Sequence, residues 1–309
     1  MTIRKTGILL IFISLIFISC EDNSQNFVVD FNNTYNRIWV GKDFWAIPLE
    51  DWKVENTKLI CTGTVPESRV NILTRILSPD PGDFNLSAQM GLHEKGEELG
   101  SAGFLLGIYD KEDPDIKAAC YFGKGIKAGV SLEGYAFLGD QKMELLSDFA
   151  WDQFDLSVEG TNNQLTLNLV DKNGLKTELS ISIKGIHGLV AVANNLVPDE
   201  NKKAGNSNFW FDNIKLTGSK IEVHEENSFG PILWTMYTLS KGTVKLMALL
   251  PPIGEKDNQD ISLQLRKENE WVTIATEKIE KDSRTAVFKI ENWDIAKEVE
   301  YRVLYNEKG

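Results

Sequence analysis

From Phe27 to Gly218 the chain is a succession of short runs in which apolar residues recur at every second position. VNILTRIL (70–77), FNLSAQMGL (84–92), AGFLLGIY (102–109), IKAGVSL (126–132), FDLSVEG (154–160), QLTLNLVD (164–171), LSISIKG (179–185), GLVAVANN (188–195) and FWFDNIKLTG (209–218) carry the pattern. PDPGD, EKGEE, DKEDPD, DKNG and PDENKKAGN cut the runs apart. Period two with turn residues between the runs is the signature of half-buried strands. No segment keeps the i, i+3, i+4, i+7 spacing over three turns, so helices are at most short connectors. About a dozen strands are too many for one open sheet with protected edges, and two stacked sheets are the usual solution. The expectation is an all-β jelly-roll sandwich over 27–218.

IEVHEENS (221–228) breaks the pattern, and 219–228 reads as a linker. A second set follows: ILWTMYTL, TVKLMALL, ISLQLRK, WVTIATEKI, TAVFKIENW and VEYRVLY. SKGT splits the first two and Lys245 interrupts the second, which fits two strands and a hairpin better than a membrane span. Six strands in 229–309 suggest a smaller immunoglobulin- or fibronectin-III-like sandwich, a fold that commonly has seven. The expectation is that one strand is missing and the sandwich is truncated; the alternative is a complete six-stranded sandwich ending in a polar tail, NEKG.

The first 20 residues read differently. Arg4 and Lys5 precede an apolar run from Ile8 to Ile18, then Ser19 and Cys20. That order is a secretory signal, and the run is shorter than the roughly 20 residues a span needs. It resembles a bacterial lipoprotein signal (1–19), which implies that Cys20 becomes the lipidated N-terminus of an acidic tether, 20–26; Phe17 stands where such signals usually have Leu. Glu21 and Asp22 resemble the acidic export tag of Bacteroidetes surface lipoproteins. The implied location is the cell envelope, lipid-anchored at the outer-membrane surface. Losing Arg4 and Lys5 leaves 31 basic residues against 45 acids, a charge of −14 compared with −12 for all 309 residues. That balance disfavours nucleic acid, which requires clustered Lys and Arg. With Cys20 lipidated, Cys61 in KLICTG and Cys120 in KAACYFG remain, both read as strand segments. A disulfide is permitted in this compartment, and two buried free thiols are equally compatible with the sequence.

DWKVENTKLICTG, RVNILTRILSPDPGDFNLSAQMGL, AGFLLGIYD and FWFDNIKLTG resemble the concanavalin A-like, laminin-G-like jelly rolls of secreted bacterial proteins. FGPILWTMYTLSKGTVKLMALLPPIG and the strands after it resemble the β-sandwich that precedes the catalytic domain in bacterial alkaline phosphatase D-like metallophosphoesterases. In that family the chain continues into a dinuclear metal domain. This chain has only His93, His187 and His224, all isolated, with no D-x-H, G-N-H-[DE] or H-x-H around them, so the phosphoesterase site is not encoded here. No G-x-S-x-G elbow, phosphate-cradling Gly-rich loop or Cys-based zinc site occurs. E-x-D-x-x-E, which would place paired carboxylates across a sugar, is absent too. A faint likeness to 3-keto-glycoside hydrolases rests on DWKVENTKL and FDNIKLTG, but AGFLLGIYD lacks the Asn-Ser-Gly and Arg expected there.

Binding remains. Aromatic faces that stack on a pyranose are the candidates: Trp39, Trp45, Tyr109, Tyr121 and Tyr135, with Trp52, Trp151 and Trp210 assigned to the core. The jelly-roll resemblance implies a structural calcium ion at Asp212 and Asn213 on the closing strand. The reading is a lipid-anchored, non-catalytic module that binds a glycan or partner and accompanies a phosphoesterase. Its alternatives are an autonomous jelly-roll hydrolase and a structural spacer. Replacing Cys20 by Ala is expected to move the protein out of the membrane fraction; retention of the variant on membranes in high salt would contradict the lipid anchor.

Overall fold

The computed structural model describes residues 26–197 and 204–307; the expected signal at 1–19 and Cys20 lie outside them. The first unit is a jelly roll of two antiparallel sheets. The back sheet takes β1 (Phe27–Val29), β3 (Trp52–Glu55), β4 (Lys58–Cys61), β6 (Phe84–Glu94), β11 (Phe154–Gly160), β12 (Gln164–Asp171), β13 (Lys176–Ser182) and β15 (Asn208–Thr217). Its order is β13-β12-β11-β6-β15-β4-β3, with β1 paired to β15. The front sheet takes β2 (Phe44–Ile47), β5 (Ser68–Leu77), β7 (Ser101–Tyr109), β8 (Lys124–Ser131), β9 (Tyr135–Leu138), β10 (Gln141–Glu144), β14 (Gly188–Asn194) and β16 (Ile221–Val223). Its order is β10-β9-β8-β7-β14-β5-β16, with β2 on β5.

The inner faces form one core that includes Trp52, Leu86, Phe104, Leu167, Val192 and Phe211. β11 and β12 alternate buried and accessible residues as their sequence does. Trp52 Nε1 donates to Ser68 Oγ at 2.7 Å, joining the two sheets inside the core. Trp52 and Trp210 are buried and Trp151 packs against the core, as their runs imply. Cys61 and Cys120 are free and buried.

Four segments differ from the sequence expectation. β7 and β14 are buried on both faces, because a second apolar cluster covers the outside of the front sheet; AGFLLGI and LVAVA are correspondingly near-continuous apolar runs, which is how doubly covered strands read. KAACYFG is not a strand: Ile116–Phe122 is the helix α1. Asp115 caps it, accepting from Lys117 N at 2.7 Å, and capping by Asp supplies an acceptor that the first helical turn otherwise lacks. The 219–228 segment is not a free linker either. β16 pairs with Arg75–Leu77 of β5, and Glu225 beyond it bonds to Arg75 and Lys42.

The second unit has the six expected strands: β17 (Trp234–Ser240), β18 (Thr243–Leu249), β19 (Asp260–Lys267), β20 (Glu270–Lys278), β21 (Thr285–Ile290) and β22 (Tyr301–Tyr305). They form two three-stranded sheets, β17-β18-β21 and β20-β19-β22, around Leu246, Ile261, Leu263 and Phe288. Tyr237 on β17 and Tyr301 on β22 are exposed and meet edge to face at 6.1 Å where the two sheets splay.

The two units are joined by buried polar contacts. Arg37 bonds to Asp257 at 3.3 Å, with both side chains almost wholly buried, and to Glu307 at 2.7 Å. Its guanidinium lies 4.5 Å from the Trp39 ring centroid. Trp39 donates from its backbone to Pro252 O and from Nε1 to Phe229 O. Burial, helped by Asp257 and Glu307, pushes the nearby Tyr305 phenol up to about 12. Breaking a buried ion pair from one side strands the other charge, which typically costs about 3–5 kcal/mol. Asp257→Asn is therefore expected to lower stability by roughly that amount in urea unfolding of the chain. Arg37→Met with Asp257→Leu should recover most of the loss. A single-variant change below about 1 kcal/mol, the range of an exposed pair, would contradict a buried joint.

Candidate functional site

The five sequence-predicted aromatics do not share one site. Trp39 is fully buried at the joint between the units and has no face to offer a ligand. Trp45 stacks on Phe229 at 5.7 Å and 5°, and meets Tyr121 edge to face at 5.5 Å, so its ring is committed to the cover of the front sheet. Tyr135 packs against Phe137 with Lys142 Nζ 4.8 Å from its ring. Asp212 and Asn213 form a bulge in β15, where the Asp212 carboxylate accepts from Asn213 N at 2.7 Å and Nδ2 at 3.2 Å. Among the described residues no group of three or more His, Cys, Asp or Glu could hold a metal ion. Tyr109 is different: it opens onto a cleft of the jelly roll that Phe122 and His187 also line.

That cleft is built from α1 outward. The helix spaces Ile116, Ala119 and Cys120 at i, i+3 and i+4 and lays them on the outer face of β7 and β14, in the cluster with Leu105, Leu189 and Ala191. Arg69 holds its far end. On β5, Val70 and Ile72 face the core, so Arg69 points outward under α1; its Nη1 donates to Gly123 O at 3.1 Å and Nη2 to Cys120 O at 2.6 Å. A cation suits the negative end of a helix and satisfies carbonyls that have no intrahelical partner. Burial pulls the Arg69 pKa below the usual arginine value and pushes the Cys120 thiol up to about 12. At the other end, the 110–115 loop is held by its own aspartates. Asp110 Oδ1 accepts from the Glu112 and Asp113 backbones at 2.8 and 2.9 Å, and Asp113 accepts from Asp115 N at 2.9 Å.

With the sheet face covered, the open space lies at the end of β7, where the register slips. β7 shifts against β8 between Leu106 and Tyr109, and β14 shifts against both neighbours beside Leu189. The bulges need Gly107 and Gly188, whose φ values are +65° and +107°; a Cβ on Gly188 would stand 2.4 Å from Ile108 O. Bulges re-aim side chains, and are common beside functional sites. Here Tyr109 turns outward and stacks on His187 at 4.6 Å and 28°. The cleft over this pair is about 720 Å³, with Phe122 on one wall and Lys111, Glu112, Lys124 and Lys184 around it. Phe122 is 74% exposed and Tyr109 38%. Stacking on His187 takes up one face of the Tyr109 ring; the 38% of Tyr109 that stays exposed, beside charged side chains, can pack on an apolar ring face whose hydroxyls bond at its edge.

Sequence reasoning found Tyr109 but set His187 aside as isolated and assigned no role to Phe122. A signal was present: Gly107-Ile108-Tyr109 and Gly185-Ile186-His187 repeat one tripeptide pattern at the two strands' adjoining ends.

No protein-family model matches this chain, and no curated protein does. Among solved structures, a seed lectin of Lotus tetragonolobus is similar at 11% identity over 64% of this chain and 100% of that one, with a TM-score of 0.44. A Bauhinia forficata lectin in complex with GalNAc is similar at 11% identity over 63% and 99%, TM-score 0.42. A carbohydrate-binding module, CBM66 from Bacillus subtilis, is similar at 12% identity over 58% and 98%, TM-score 0.33. Likenesses at this level carry no argument about what this chain binds.

The clamp on α1 is testable through the thiol beneath it. With Cys20 replaced by Ala, native protein should react negligibly with a disulfide reagent, since both remaining thiols are buried. Arg69→Ala should make one thiol, Cys120, react at least tenfold faster while Cys61 stays protected. Equal protection in the variant would show that α1 does not depend on Arg69.

Proposed function

We propose that this chain is a glycan-binding module, carried at the cell envelope by a lipid on Cys20, whose saccharide site is the cleft over Tyr109 and His187. The observation that carries the reading is the outward-turned, face-to-face Tyr109–His187 pair on the floor of an open cleft with charged side chains around it. Pockets of several hundred Å³ with a few polar groups around an apolar floor are the common form of a small-molecule site. The leader and Ser19-Cys20 support the anchor. The likeness of 229–309 to the sandwich of metallophosphoesterases supports a role accompanying such an enzyme, and the buried Arg37–Asp257 joint would hold the glycan site at a set orientation to it.

The test is a broad glycan array on the chain from Asn26 onward, with and without calcium, followed by titration of the strongest hit. Tyr109→Ala should weaken that hit by roughly tenfold, about 1.4 kcal/mol, while Tyr135→Phe leaves it unchanged. No signal on the array under either condition would favour a structural spacer.

A further inference from the structure

The cleft over Tyr109 does not end at its own rim. Gly125 and Ile126 at the start of β8 line it and also line a second cleft of about 760 Å³ along the side of the sandwich. A Cβ on Gly125 would stand 2.8 Å from Leu106 O, so no side chain divides the two at that point. The second cleft is lined by Ser180, Ile181, Ser182 and Ile183, four consecutive residues. The first three end β13 and Ile183 follows it; successive residues of a strand point to opposite faces, so consecutive residues bordering one space mean that the space follows the strand's edge. Among the described residues β13 is the end strand of the back sheet and pairs with β12 alone, so its other edge carries backbone donors and acceptors that no strand takes up. Across from it stand Asp140 and Gln141, both exposed. This second space has no aromatic platform of its own; beside Ile126, Ile181, Ile183 and Val197 it offers the Ser182 hydroxyl, the Gln141 amide, the Asp140 carboxylate and backbone groups.

Resting on the saccharide reading above, we infer that the ligand is a linear oligosaccharide that spans both clefts, with one unit stacked on Tyr109 and the following units laid along the edge of β13. Each cleft alone falls within the roughly 300–1,000 Å³ of small-ligand sites, so the two together have room for several units, and a single terminal sugar would leave one of them unused. An aromatic anchor at one end and hydroxyl-bonding groups along the rest suit a chain whose units repeat the same hydroxyls.

The experiment is calorimetric titration of the chain from Asn26 onward with β-1,3-glucan, β-1,4-glucan, xylan and mannan oligosaccharides of one to six units. In the ladder that binds, affinity should climb with length and gain at least tenfold between two and six units. Asp140→Ala with Gln141→Ala should bring the hexamer down to the affinity of the dimer without changing the dimer, and Tyr109→Ala should weaken both. A hexamer no tighter than a dimer would overturn the extended site while leaving the saccharide reading intact. Failure of every ladder, with the array also silent, would remove both. A ten-residue extended Ser/Thr-rich peptide titrated alongside provides the remaining outcome: its capture in preference to every ladder would show that the β13 edge takes a polypeptide strand, against the proposal.

Discussion

Arg69 lies on the outside of the front sheet, nearly buried, with its guanidinium donating to two carbonyls at the end of α1. An unpaired cation in that position would be costly; the exposed carbonyls of the helix end are what make the burial tolerable, and the arginine in return keeps a seven-residue helix in place that is too short to persist alone. The consequence reaches through the front sheet. Once α1 lies on β7 and β14, those strands are covered on both faces and can be apolar throughout. The broad face of the sheet is then closed to ligands. What stays open is its end, where the chain leaves α1 through Phe122 and where Gly107 and Gly188 let the two covered strands slip register and turn Tyr109 and His187 outward.

The joint between the two units follows the same physical rule with a different solution. Arg37 is also buried, but its partners are carboxylates from the second unit, and Trp39 closes over it with a cation–π contact and two hydrogen bonds of its own. A tryptophan that could have been a ligand platform is thereby spent on orientation. The small sandwich is consequently fixed to the jelly roll through side chains from the 30–43 loop, and 219–228 adds a strand and two ion pairs on the jelly-roll side. The cleft and the second unit thus belong to one continuous body.

Alternation was enough to read the architecture, because each strand with one face in water repeats its environment every second residue; β11, β12, β18 and β21 follow the text of the sequence closely. It misled where the environment was not two-sided. KAACYFG alternates too little to distinguish a short helix from a covered strand, and the deciding feature is Asp115, one capping carboxylate after a proline. Arg37 and Asp257 stand 220 positions apart in unremarkable loops, and no local pattern announces that they meet. The site was half legible. Tyr109 could be named as an exposed-aromatic candidate, whereas His187 acquires its role only because two bulges bring the ends of β7 and β14 together. The repeated Gly-Ile-aromatic tripeptide was the one trace of that geometry in the sequence.

The central claim is one of place: a covered sheet face displaces binding to the bulged end. Amide chemical-shift mapping during titration with a bound oligosaccharide tests it directly, since it reports location independently of affinity. The account predicts that the largest shifts fall in 107–112, 122–126, 139–141 and 180–188, with the amides around Trp45 and Tyr135 unmoved. Shifts centred instead on the back sheet, where Ser87 and Asp155 line a separate groove, or on β17, which is accessible along its whole length, would contradict it.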